Sequence, residues 1–158
     1  MKKCLSLWGI DMARIIIKDL SFKSDIFSVK VIVRSGITVI GGDSSTFKTY
    51  YYDLMRRETA ISNDTRFHFM NYFYNDVDRL IKGDIQNKIV FIDNADIIIT
   101  RDVRIKDMIA ASNNQYIIFG RDVGRYTYSL DDWAKFVPRS TNLVEMSYII
   151  KEAGVLWQ

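Results

Sequence analysis

Apolar residues fall along the chain in short runs, separated by clusters of Gly, Ser, Asn and Asp. Ala13–Ile17 is rich in β-branched residues and predicts a strand. Phe27–Arg34 alternates apolar and polar positions as a half-buried strand does, and the polar Lys23-Ser24-Asp25 between the two predicts the turn of an antiparallel pair. After a Ser35–Gly36 turn, Ile37–Ile40 is a continuous apolar run of the kind a buried parallel strand shows. It ends in Gly41–Gly42, a polar loop follows, and Lys48–Arg57 predicts a helix.

Further along, Arg66–Met70, Lys88–Ile92 and Gln115–Phe119 repeat the apolar pattern, with helix-compatible stretches near Asn75–Lys82 and Val103–Ser112. Leu130–Phe136 reads as a short helix before a last apolar run, Asn142–Tyr148. Strands alternating with helices predict an α/β fold: a mostly parallel central sheet flanked by helices, preceded by the antiparallel N-terminal pair. At 158 residues with a single proline, Pro138, and no low-complexity linker, residues 1–158 are expected to form one domain.

Composition narrows the chemistry. One cysteine, Cys4, excludes an internal disulfide, and with one histidine, His68, the common zinc spacings are absent. The net charge is +3, and Lys2–Lys3, Arg56–Arg57, Arg101/Arg104/Lys106 and Arg121/Arg125 are scattered pairs and triplets rather than a block. They read as solvated faces, so a nucleic-acid partner is not supported. The N-terminal apolar stretch is broken by Asp11 and Arg14, and no run approaches the roughly 18 residues of a membrane span, so a soluble cytoplasmic protein is expected.

The chemistry lies in Ile37–Thr49. A phosphate loop reads glycine, four residues, glycine, lysine, then serine or threonine. Here Gly42 opens it, Asp43, Ser44, Ser45 and Thr46 fill it, Phe47 stands in place of the second glycine, and Lys48 and Thr49 close it. A strand running into such a loop and then a helix turns backbone N–H groups and the positive end of the helix dipole toward an anion. Lys48 would reach the β- and γ-phosphates and the Thr49 hydroxyl would ligate Mg²⁺. Position 47 is expected to begin the helix with ordinary helical φ, its side chain turned from the phosphates. Asp43, whose charge would repel phosphate, is expected to face solvent or cap a turn. The same letters also fit an ordinary strand–turn–helix corner with an exposed lysine.

Lys88–Ile92 is an apolar strand ending at Asp93, followed by Asn94, Ala95 and Asp96. Ligands of open α/β sheets sit at the carboxyl ends of strands, where Asp93 would share the metal with Thr49. The chain resembles the P-loop NTPase superfamily over residues 37–147, with Gly42–Thr49 as a variant Walker A and Ile89–Asp93 as Walker B. Gln115–Arg121 would be the next core strand. The strand pair leading into Ser35–Gly42 is similar to the opening of ATP-binding-cassette ATPases, but no LSGGQ-like signature follows. The resemblance implies ATP as ligand, Mg²⁺ as metal, and Arg121 or Arg125 as a neutraliser of γ-phosphate charge. Many relatives carry a glutamate after the Walker B aspartate; Asn94 stands there and cannot take a proton, which leaves Asp96 as the substitute and implies slow or absent hydrolysis.

A core this small lacks the appended domains that define a substrate, so it is expected to act through a protein partner. Two alternatives stay open: a non-catalytic binding or inhibitor protein on a degenerate phosphate-loop scaffold, of the kind phages and mobile elements encode, and a small nucleotide or nucleoside kinase with a lid in Arg121–Arg139. Tyr50-Tyr51-Tyr52 could stack on a base or divide between core and surface. His68 is expected to be structural, and the apolar tail Val155–Gln158 to dock on the sheet or on a partner.

Overall fold

The computed structural model describes residues 13–43, 46–73, 76–121 and 130–150. In chain order the elements are β1 (Asp19–Lys23), β2 (Ser28–Ile32), β3 (Ile37–Ile40), α1 (Lys48–Ser62), β4 (Phe67–Met70), α2 (Val77–Ile81), β5 (Ile89–Ile92), α3 (Ala95–Arg101), α4 (Arg104–Ala111), β6 (Gln115–Phe119), β7 (Trp133–Ser140) and β8 (Leu143–Tyr148). All eight strands join one sheet, in the order β1-β2-β8-β7-β3-β6-β5-β4.

The expected mostly parallel sheet flanked by helices is not what forms. The sheet is mixed and curls into a half-barrel, with 30% of the described residues helical and 33% in strands. β1–β2 and β7–β8 pair antiparallel, while β2–β8, β3–β7, β3–β6, β5–β6 and β4–β5 pair parallel. The β7–β8 hairpin is the main cause of the difference, because it inserts between β2 and β3. Leu130–Phe136, expected as a helix, is a single 3₁₀ turn (Leu130–Asp132) running straight into β7. Pro138 is tolerated there because β7 meets β3 only through Trp133 and Ala134. Beyond those two residues the β3 side of β7 needs no donor, and the register with β8 shifts between Pro138 and Ser140.

The N-terminal pair also differs. Its first strand is Asp19–Lys23, with Leu20 and Phe22 buried and their neighbours exposed, rather than Ala13–Ile17. Residues 13–17 satisfy their backbone elsewhere: the fully buried Gln115 amide accepts from Ile16 N at 2.7 Å and Ile17 N at 2.9 Å, and donates to Ile17 O at 2.9 Å. Their backbone also crosses so close to Gly36 that a Cβ there would lie 2.3 Å from Ala13 C and Arg14 N, which fixes glycine at that turn.

Strand alternation divides the core. Phe91, Ile117 and Phe119 face one cluster with Leu20, Phe22, Val29, Val31 and the α1 residues Tyr51, Tyr52, Leu54 and Met55. Val90, Ile92, Tyr116 and Ile118 face a second, closed by Val77 and Leu80 of α2, Ala95 and Ile98 of α3, and Ile105 and Ile109 of α4. α1 presents Tyr51, Tyr52, Met55 and Thr59 at helical spacing and stops at Asn63, whose φ of 52° is the left-handed turn that ends helices. No helix among the described residues is long and apolar enough to cross a membrane.

Candidate functional site

β3 ends at Ile40 and the chain enters the loop through Gly42, whose φ of 126° is a conformation L side chains rarely adopt. α1 begins at Lys48 with no side-chain cap; Tyr51 N bonds the N-cap carbonyl Phe47 O at 3.0 Å, and the N–H groups of Lys48, Thr49 and Tyr50 precede the first intrahelical bond. Lys48 is only 8% exposed. Its ammonium folds back into the loop, donating to Gly42 O at 2.6 Å, Asp43 O at 2.6 Å and Thr46 Oγ1 at 3.0 Å. Burial lowers its pKa, and the Asp43 carboxylate works against that shift. Asp43 is exposed, as expected, and its carbonyl also accepts from the Thr46 hydroxyl at 2.9 Å. Ser44 and Ser45, expected in the loop, lie outside the described residues, as do Arg125 and Val155–Gln158.

Phe47 departs from expectation. Instead of helical φ it has φ 57° and ψ 23°, the left-handed region at the N-cap of α1, where Cβ crowds the following carbonyl. Its ring is 66% exposed at the cleft rim, so burial contributes little to holding it there. Phe47→Gly is therefore expected to leave stability unchanged or raise it by up to about 1 kcal/mol, whereas glycine inside a helix costs about that much. A shift of the urea midpoint at constant slope reads the difference.

Across the cleft, β5 delivers Asp93. The parallel neighbours β4 and β6 and the buried Ile89–Ile92 run bring it to the strand end at 3% exposure. Its Oδ2 accepts from Thr49 Oγ1 at 3.0 Å and from Asn94 Nδ2 at 3.3 Å. Burial is the main influence on this carboxyl and raises its pKa; the Thr49 and Asn94 bonds and the Lys48 charge pull the other way. A carboxyl raised on folding stabilises the fold fully below its ordinary pKa, and that contribution is lost as pH rises through the folded value. Stability therefore falls as pH rises through that folded value, and Asp93→Asn is expected to raise the melting temperature on its high-pH side. The advantage should vanish in acid, which thermal unfolding across pH measures.

The cleft between these elements has a volume of about 260 Å³ and is lined by Phe47, Lys48, Thr49, Tyr50, Asp93, Asn94, Phe119, Gly120 and Arg121. A larger cleft of about 440 Å³, between β1 and the end of α1, holds none of these groups. Sequence reasoning missed Phe119 and Gly120 as lining; their signal was the end of the Gln115–Phe119 run, since β6 pairs with β3 and Gly120 N reaches Ile40 O at 3.2 Å. Arg121 is exposed on the rim and lowers the Lys48 pKa, which places its charge in range of the ammonium.

Asp96 is not in the lining. It sits in the first turn of α3, where Asn94, at φ 51°, forms the N-cap, and its charge is felt at Lys48. Its Oδ1 is buried without a hydrogen-bond partner among the described residues. Tyr51 and Tyr52 are core residues at 8% and 1% exposure, while Tyr50 is 44% exposed. His68 sits on β4, outside the cleft lining, with Nε2 2.9 Å from Asp76 Oδ2.

The donor set fits magnesium and a polyphosphate. Mg²⁺ takes oxygen ligands and holds its place with one or two carboxylates, substrate phosphates and water. Thr49 and Asp93 already set a hydroxyl and a carboxylate oxygen 3.0 Å apart. No group of three or more His, Cys, Asp or Glu able to cage a metal occurs among the described residues. Comparison of the chain with protein-family models, with curated proteins and with solved structures gives no match.

Proposed function

We propose that this protein binds a nucleoside triphosphate, ATP, together with Mg²⁺ at the loop of Gly42–Thr49, with slow or absent hydrolysis, and acts through a protein partner. The observation that carries the reading is a nearly buried lysine ammonium at the head of α1, one residue from a hydroxyl hydrogen-bonded to a strand-end aspartate. Lys48 and the first-turn N–H groups supply positive charge for phosphate oxygens, and Thr49 with Asp93 supplies hard oxygens for the cation. Bound Mg²⁺ would neutralise phosphate charge. Asn94 beside the metal pair takes no proton, and Asp96 stays outside the cleft lining, so among the described residues Asp93 is the carboxylate that lines the cleft.

Equilibrium binding of ATP, GTP and their non-hydrolysable analogues, with and without Mg²⁺, tests this. Micromolar affinity strengthened by Mg²⁺ is expected; no binding at millimolar nucleotide sinks it. Mg²⁺-dependent turnover abolished by Asp93→Ala would overturn the absent-hydrolysis part alone.

One observation favours a second reading, a binding protein that uses the loop only as scaffold. The three N–H donors of Lys48 have three acceptors within the loop itself, Gly42 O, Asp43 O and Thr46 Oγ1, so the lysine has a complete structural role without a ligand. In vivo function that survives loss of the ammonium supports that reading.

A further inference from the structure

Among the described residues, the cleft beside Lys48 is small for a whole nucleotide. At about 260 Å³ it falls below the roughly 300–1,000 Å³ of sites that enclose a drug-sized ligand. A triphosphate that puts its charged end against Lys48, Thr49 and Asp93 would carry the rest of the molecule toward the rim. The rim on the α1 side is aromatic. Phe47, at the N-cap, and Tyr50, in the first turn of the helix, both line the cleft.

Both rings are exposed, at 66% for Phe47 and 44% for Tyr50. Tyr50 is braced from behind, with the Tyr51 ring 5.6 Å and the Phe27 ring 6.3 Å away, both edge-on. Phe27 in turn stacks on Tyr51 at 5.8 Å, so Tyr50 rests against a packed aromatic group. Phe47 makes no ring contact among the described residues. An exposed, braced ring beside a cationic pocket presents a π-face to whatever flat group leaves that pocket.

We infer that Phe47 and Tyr50 form a stacking platform for the base of the bound nucleotide. This rests on the nucleotide reading and names what that site recognises beyond phosphate. Stacking is tolerant of base identity because every base has a π-face, so the platform selects nucleotides over bare polyphosphate and discriminates weakly between ATP and GTP.

The test compares ATP with inorganic tripolyphosphate, each with Mg²⁺, on the full chain, and its readout is the ratio of the two affinities. The wild type should prefer ATP by about tenfold or more, and Tyr50→Ala should cut that preference by at least about fivefold, the lower end of the worth of one base stack. Tyr50→Phe, which keeps the ring, should retain it. Phe47→Ala should cut it as well. Equal wild-type affinity for ATP and tripolyphosphate overturns the platform while leaving the phosphate site standing. A ratio unmoved in both alanine variants also overturns it. Failure of the wild type to bind either ligand overturns the platform and the nucleotide reading together.

Discussion

Phe91→Ala is expected to lower the free energy of unfolding by about 3–5 kcal/mol, a large share of the roughly 5–15 kcal/mol that holds a domain folded. Phe91 is fully buried at the middle of β5. Its ring stacks on Phe69 at 4.6 Å with 12° between planes, and meets Phe22 edge-on at 5.9 Å, Phe67 at 6.1 Å and Phe119 at 6.4 Å. Those rings come from β1, β4 and β6 as well as β5, so they join both edges of the curled sheet to its centre. Truncation leaves a cavity lined by rigid rings that cannot all close on it. Phe73→Ala is the contrast: that ring is 79% exposed, and its loss should stay within about 0.5 kcal/mol. Urea unfolding of both variants separates the two values, and a Phe91→Ala loss below about 1 kcal/mol would mean that the ring cluster does not bind the edges together.

That cluster shows where the sequence was legible. Lys88–Ile92, Ile37–Ile40 and Gln115–Phe119 are continuous apolar runs because their strands have apolar neighbours on both faces, and each lies where the pattern predicts it. The loop, Lys48, Thr49 and Asp93 were legible for a related reason: their spacing follows from a strand end meeting a helix start, a local geometry.

The rest depended on partners distant in sequence. Nothing within Ala13–Ile17 tells that the Gln115 amide, about a hundred residues on, satisfies its backbone in place of a neighbouring strand. Trp133–Ser140 has the alternation of a strand only in its first half, with Ala134 buried and Lys135 exposed, and proline is rare inside sheets. The insertion of β7–β8 beside β3 is what supplies the pairing, and it makes the sheet mixed. Phe47 was misjudged because left-handed φ at a non-glycine residue has no signature in the letters around it. α3 was missed altogether: Ala95–Arg101 is seven residues long, and Ile97, Ile98 and Ile99 are β-branched, which weakens the local helical signal.

Lys48→Met should weaken Mg²⁺-ATP binding by about 10- to 150-fold, the cost of losing one charged hydrogen-bonding group of about 1.5–3 kcal/mol. Methionine keeps the apolar stem that packs under the loop, so the change isolates the ammonium. Its effect on stability should be smaller than its effect on affinity, because two contributions oppose. Burial disfavours the cation, as its lowered pKa shows, so an uncharged side chain removes a cost. Against that, Gly42 O and Asp43 O lose their donor. Asp43 is exposed and Gly42 half-buried, so water reaches both carbonyls and limits the loss. Titration calorimetry and urea unfolding on the same variant therefore distinguish the two roles of this lysine. Lost affinity with retained stability makes Lys48 a phosphate ligand that the loop holds in readiness. Unchanged affinity for a nucleotide that the wild type binds moves the phosphates away from this loop. Collapsed stability assigns the ammonium to holding Gly42–Thr46 together, the role that the scaffold reading requires.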